Sequence, residues 1–284
     1  MTVKSTTGSK LFGRRATLQC DTALFDGLRI AFSVKRTLTK EPNPAKIQIY
    51  NLSQESRTKF QAKDAKVILS AGYQESFAQI WSGSLRTVSH VRQGADWVTK
   101  VDGGDGENLI RAGRYSRSYK AGTPIATVIK DVATATGFGL GNLQQQLASA
   151  NFPGGLTQYA KGISVRGLAA TTLQDLLQAA GFTYSVQDGK IQVLAPGQSL
   201  TGGQIFSLSA SSGLLGSPEV CEEGKKTKKK VLKAKMLLNP LIVPGCTVNL
   251  DSLNVKGNYR VEKVEHKGDT RGADFITEIE CKLS

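Results

Sequence analysis

The sequence predicts a mainly β chain with an α/β insertion: β segments over residues 1–108 and 201–284, as one β domain interrupted by the insertion or two β domains flanking it, and a small α/β module at 109–200. Three observations carry this. Apolar and polar residues alternate with period 2 at both ends of the chain, the period lengthens to the helical 3.6 in the middle, and Gly-, Ser- or Pro-containing breaks punctuate the alternating runs. At 284 residues the chain has room for two or three domains and a substantial core.

Leu28, Ile30, Phe32 and Val34 share one parity, and Ile47 and Ile49 repeat the pattern. Between them Lys40-Glu41-Pro42-Asn43-Pro44 cannot extend a ladder and reads as a hairpin-type loop. Ser53 is placed to cap a short helix running to about Gln61. Strands follow at 66–73, 77–81, 85–91 and 97–101; six short strands in succession argue for an antiparallel barrel or sandwich. From about residue 119 the pattern changes. Pro124 opens a helix whose Ile125, Val128, Ile129, Val132 and Ala133 share a face until Gly137, and a second helix over 171–180 carries Leu173, Leu176 and Leu177 to Gly181. Asp131, Ala135, Gly137 and Phe138 recur as Asp175, Ala179, Gly181 and Phe182, a weak internal repeat. Asp188-Gly189 between Phe182-Tyr184-Val186 and Ile191-Val193 predicts a hairpin with a type I′ turn. After a Gly/Ser-rich stretch over 196–217, alternation returns in Leu232, Ala234, Met236 and Leu238, with Lys233 and Lys235 on the opposite, cationic face. Val248 and Leu250, Tyr259 to Val264, and Phe275, Thr277, Ile279 and Cys281 supply the last strands.

Composition narrows the function classes. Lys and Arg outnumber Asp and Glu 37 to 23, a formal charge of +14, while 39% apolar and 21% charged residues are ordinary globular values that exclude a disordered or collagen-like chain. No run approaches 18 apolar residues and Met1 to Lys10 is polar, so neither a membrane span nor a secretory leader is expected. Cys20, Cys221, Cys246 and Cys281 contain no CxxC pair and are scattered, which predicts reduced thiols and no zinc site.

Motifs for chemistry are sparse. Asp102-Gly103-Gly104-Asp105-Gly106-Glu107 lacks donors at the third and twelfth positions of a calcium loop and reads as a turn after a strand. Gly137-Phe138-Gly139-Leu140-Gly141 lacks the third glycine of a dinucleotide fingerprint and follows a helix; GxxxxGK[ST] and GxSxG are absent. Ser56-Arg57-Thr58-Lys59 spells SxxK only by chance spacing on a surface helix. Glu219, Glu222 and Glu223 read as solvated partners of nearby lysines. The only histidines are His90 and His266, which starves most acid/base mechanisms, and His266 reads as a hydrogen-bonded turn residue beside Gly268 and Asp269. No catalytic residue and no cofactor is expected. The feature a sheet does not need is the run Lys225, Lys226, Lys228, Lys229, Lys230, Lys233 and Lys235, a candidate contact for a polyanion or an acidic partner against the plainer reading of a solvated edge.

Several strings in order resemble one family. Met236-Leu237-Leu238-Asn239-Pro240-Leu241 with Pro244-Gly245, then Gly257-Asn258-Tyr259-Arg260-Val261, then His266-Lys267-Gly268-Asp269-Thr270, resemble the C-terminal part of baseplate hub proteins of tailed, especially contractile-tailed, bacteriophages. Glu41-Pro42-Asn43, Gly104-Asp105-Gly106 and Gly216-Ser217-Pro218-Glu219 fit the same family, so the resemblance spans nearly the whole chain. It implies that Asn239, Pro240, Pro244, Gly245, Gly257, His266, Gly268 and Asp269 are structural turn positions. It also implies two β-barrel-like domains per chain, over 1–108 and 201–284, and a homotrimer at the virion tail tip, assembled in the host cytoplasm, that adapts a sixfold tail tube or distal tail protein to a threefold central spike. Tape-measure protein and DNA would pass through the channel without sequence-specific binding. A ring of subunits also covers open sheet edges. Two other expectations compete: a tail-associated peptidoglycan hydrolase or wall-binding protein, and a cytosolic nucleic-acid binder.

Overall fold

In a computed structural model the described residues are 12–39, 41–61, 65–106, 113–150, 152–195, 198–200, 205–223 and 229–282. The fold is mainly β with an α/β part, as the alternation predicts. The chain divides into two compact units, one drawn from residues up to Thr37, Asn43–Gly104 and Thr201 onwards, the other from Leu38–Pro42 and Asp105–Leu200.

The first unit contains β1 (Arg15–Cys20), β2 (Ala23–Phe25), β3 (Ile30–Thr37), β4 (Pro44–Tyr50), α1 (Gln54–Thr58), β5 (Lys66–Tyr73), β6 (Ser76–Gln93) and β7 (Asp96–Gly104). The Ser53 hydroxyl caps α1 by accepting the Ser56 N–H at 3.1 Å. The second unit contains β8 (Arg114–Tyr119), β9 (Thr123–Pro124), α2 (Ile125–Ala135), α3 (Leu143–Ala148), β10 (Gln158–Tyr159), β11 (Ile163–Leu168), α4 (Ala169–Ala179), β12 (Thr183–Gln187) and β13 (Lys190–Leu194). The first unit resumes with β14 (Ile205–Ser209), β15 (Leu214–Glu223), β16 (Lys229–Leu237), β17 (Thr247–Asp251), β18 (Lys256–Asp269) and β19 (Phe275–Lys282).

In the second unit α2 and α4 bury Val128, Ile129, Val132, Leu173 and Leu177 against the β12–β13 hairpin. Asp188 and Gly189 both have positive φ, 53° and 72°, as a type I′ turn requires. The buried Asp105 carboxylate accepts both of their N–H groups, at 2.6 and 2.8 Å, so the acidic loop considered for calcium is spent on holding a turn.

The β segments at 1–108 and 201–284, which the family resemblance implies are separate barrel-like domains, share one sheet of 13 strands. Its central ribbon runs β15-β16-β19-β18-β3-β4-β7-β6, and every neighbouring pair is antiparallel. Two long strands turn corners. The first part of β6 leaves the ribbon to pair with β5, which continues to β1 and β2, while the first part of β18 leaves it to pair with β17 and, through it, β14. Each corner is marked by a bulge, between Leu85 and Thr87 in β6 and between Val261 and Lys263 in β18. The inward side of each half has its own apolar cluster, one around Leu18, Ile47, Leu69 and Trp81, the other around Leu232, Met236, Val248 and Ile279.

The two halves are wired alike. In each, a hairpin (β3–β4 or β15–β16) precedes a long bent strand (β6 or β18), whose returning partner (β7 or β19) inserts beside the second strand of the hairpin. Thr87 opposes Asp102 as Lys263 opposes Glu280, and Lys46 opposes Asp102 as Lys233 opposes Glu280. The equivalence extends to side chains: His90 Nδ1 lies 3.0 Å from Thr99 Oγ1, and His266 Nδ1 lies 2.9 Å from Thr277 Oγ1.

Candidate assembly surface

Alternation places one set of side chains of the ribbon in the cores and the other outward. Across β15, β16, β19, β18 and β3 the outward row reads Glu219, Lys233, Glu280, Lys263, Thr37, and a second row reads Leu215, Lys235, Glu278, Glu265, Lys35. Ion pairs stitch these rows: Lys263 Nζ to Glu280 at 2.7 Å, Lys233 Nζ to Glu280 at 3.9 Å, Lys267 Nζ to Glu278 at 2.8 Å and to Glu265 at 3.3 Å, and Lys35 Nζ to Glu265 at 3.8 Å. The hydrogen bond to Glu278, followed by the nearby Glu265 charge, raises the Lys267 pKa despite desolvation. Farther along, Ser33, Lys46, Asp102 and Thr87 line up across β3, β4, β7 and β6. A bulge at Gly216–Pro218 lifts β15 and opens a groove of about 560 Å³ over Lys233, Lys235, Glu278 and Glu280.

The expectation of a strongly cationic strand face is corrected by this geometry. Lys233 and Lys235 do share the outward parity, but β19 and β18 set Glu278, Glu280 and Glu265 beside them, and Lys230 opposes Glu222 across β15. Neighbouring strands thus neutralise what the strand alone presents. Lys229 begins β16, and Lys225, Lys226 and Lys228 lie outside the described residues.

The other singled-out positions divide into two groups. Asn239, Pro240, Pro244 and Gly245 are turn residues: the Asn239 carboxamide oxygen accepts the Leu241 N–H at 3.0 Å, and the Gly245 N–H donates to the Val261 carbonyl at 2.7 Å. Gly257, His266, Gly268 and Asp269 instead lie within β18, because the strand continues through the string read as a turn. His266 is fully buried between Val34 and Thr277. Burial, then the Arg36 charge, push its pKa down to about 3 against a smaller pull from the Ile242 backbone, so it is neutral, and among the described residues its Nε2 makes no hydrogen bond of ordinary geometry. Gly268 leaves space for Phe32 and Phe275: a Cβ there would stand 2.4 Å from the Phe32 ring and 2.9 Å from that of Phe275. Asp269 closes the last rung of the β18–β3 seam by taking a forked pair from Arg29, at 2.7 Å to Nη2 and 3.2 Å to Nε, and Arg29 stacks 4.4 Å from the Tyr50 ring centre. This guanidinium holds the Asp269 carboxyl below the usual range.

The sequence matches the model of the family described as baseplate hub gp41 over residues 14–281. The chain belongs to the baseplate hub gp41 family. It is a structural protein of the bacteriophage tail baseplate. No curated relative matches it. Among solved structures this hub-family chain is similar to the 43 kDa tail protein of prophage MuSo2 from Shewanella oneidensis, at 8% identity and a TM-score of 0.64 over 95% of this chain and 98% of that one. It is also similar to a tail protein from Neisseria meningitidis MC58, at 8% identity and TM-score 0.62 over 96% and 97%. A third likeness is to the Escherichia coli c3393 protein, a component of the type VI secretion system, at 9% identity and TM-score 0.59 over 94% and 76%. At such identities the likeness concerns the fold.

Sequence reading missed several contacts that build this hub-family fold. Trp81 is buried on a shelf formed by Gly83 and Gly103, where an added Cβ would come within 2.4 Å of its ring, and its Nε1 donates to the Asn43 carbonyl at 3.0 Å. Buried Arg36 donates to the Ile80 carbonyl at 3.0 Å. Arg29 carried no signal, because its partner lies 240 positions away. Among the described residues no helix is long and apolar enough to cross a membrane.

Proposed function

We propose that the chain forms a homotrimeric adaptor ring at the tail tip, between a sixfold tail tube or distal tail protein and a threefold central spike, around a channel for genome ejection. What supports the reading is the shared wiring of the two halves. Three chains then present six equivalent modules, which matches sixfold symmetry on one side and threefold on the other. The two barrel-like modules correspond to the two apolar clusters of the first unit. The outward, ion-paired face of the ribbon lines the channel, where alternating Lys and Glu give passing DNA or tape-measure protein no sustained charge to bind. The α/β unit braces neighbouring subunits or projects from the ring, and the chain has no catalytic role. After assembly in the host cytoplasm it resides in the virion tail tip. Light scattering tests the stoichiometry: three chains of 30.4 kDa give about 91 kDa. Imaging of the particle tests the place, and density for this chain away from the tail axis overturns the reading.

A further inference from the structure

We infer that the ring closes by strand pairing between subunits, with Thr87–Val91 of β6 antiparallel to residues 219–223 of the partner subunit's β15. The inference rests on the ring reading above and adds its seam.

The template is the seam inside the chain. There the outer part of β18 pairs with β3, Lys263 opposite Thr37, Glu265 opposite Lys35, His266 opposite Val34 and Lys267 opposite Ser33. The shared wiring makes Thr87–Val91 the counterpart of Lys263–Lys267, and Glu219–Glu223 the counterpart of Ser33–Thr37. Yet among the described residues no strand pairs with the outer side of Thr87–Gln93, nor with the side of β15 away from β16. Among the described residues the ribbon therefore ends in two unpaired edges that correspond to the two sides of its own internal seam. Bare edges of this length are ordinarily paired or covered.

Strand direction agrees. Eight strands that alternate in direction leave β15 and β6 running opposite ways, so a rotated copy brings its β15 antiparallel to β6 and the alternation continues around the ring. The side chains agree too. Val220 is 53% exposed on the β15 edge, whereas its counterpart Val34 is fully buried over His266. In the inferred register Val220 of the partner subunit covers His90, which is now only partly buried, as Val34 covers His266.

The register places Ser89 opposite Cys221 of the partner subunit, the counterpart of Glu265 opposite Lys35, whose charged ends approach to 3.8 Å. Facing residues of an antiparallel pair have Cβ atoms about 5 Å apart, near disulfide reach. Ser89→Cys is therefore expected to give disulfide-linked dimers and trimers when tail particles are mildly oxidised and run on a non-reducing gel, and Ser89→Cys with Cys221→Ser to give none. Val220→Asp, on an exposed edge, should leave the melting of the subunit unchanged but reduce incorporation into particles to roughly one-tenth or less, because it seats a charge in the seam. Particles that contain a threefold ring of this chain but show no Ser89→Cys cross-link, or that incorporate Val220→Asp normally, overturn the inferred seam and leave the ring reading standing. Particles with no threefold ring of this chain overturn both.

Discussion

Lowering the pH from 7.5 to 4.5 is expected to destabilise the first unit chiefly through His266. An unfolded histidine titrates near pH 6.5, whereas burial holds this one neutral down to about pH 3. Below about pH 6.5 the unfolded chain takes up a proton that the folded chain refuses, so stability falls with pH by about 1.4 kcal/mol per unit until the folded pKa is reached. By pH 4.5 the loss is about 2.7 kcal/mol, a large share of the 5–15 kcal/mol typical of a domain. His90, whose pKa burial and then Arg57 also lower, adds a smaller loss of the same sign. Asp269 contributes only below about pH 4, where protonating it releases Arg29. The assay is urea unfolding followed by tryptophan fluorescence at half-unit pH steps, since Trp81 and Trp97, the chain's two tryptophans, both lie in the first unit. His266→Gln cannot charge and should flatten most of the slope between pH 6.5 and 4.5. An unchanged slope in that variant refutes the argument.

Three further outcomes follow from particular contacts. Gly103→Ala drives a methyl group into the Trp81 ring and should cost about 1–3 kcal/mol by overpacking, measured as a lower urea midpoint; unchanged stability means that the shelf yields. Asp105→Ala strips the acceptor from the Asp188 and Gly189 N–H groups and should destabilise the second unit by about 1–3 kcal/mol, read by faster amide exchange across β12 and β13. Replacing Lys230, Lys233 and Lys235 together with Gln should leave the salt dependence of DNA binding nearly unchanged, because their strands already set glutamates against them; a slope reduced by about three contacts would restore the polyanion reading.

Much of the local structure is legible in the sequence because it depends on neighbouring residues. The buried parity of Leu232, Ala234, Met236 and Leu238, the Asp188-Gly189 turn and the Ser53 cap each follow from a few consecutive residues. What was not legible depends on partners far along the chain. Period 2 tells which way Lys233 points but not that Glu280 stands beside it. β6 reads as two short strands, since its burial pattern loses alternation where it passes from one partner to another. The string from His266 to Asp269 resembles a turn because Gly and Asp favour turns, but Gly268 is required by two phenyl rings and Asp269 by an arginine contributed from near the other end. The duplicated wiring hides for a related reason: bulges and connections of different length give each pair of equivalent strands its own spacing, so no fixed period reveals it.

The β18–β3 seam also sets a timetable for folding. Ser33 bonds Glu265 across 232 positions, so β3 cannot acquire this neighbour until those 232 further residues have been synthesised. At about 5–20 residues per second that is roughly 10–50 s during which the nascent N-terminal half offers an uncovered strand to other nascent copies. Prematurely terminated chains lacking β18 should therefore co-aggregate through β3, and slowing translation should worsen the yield of soluble protein.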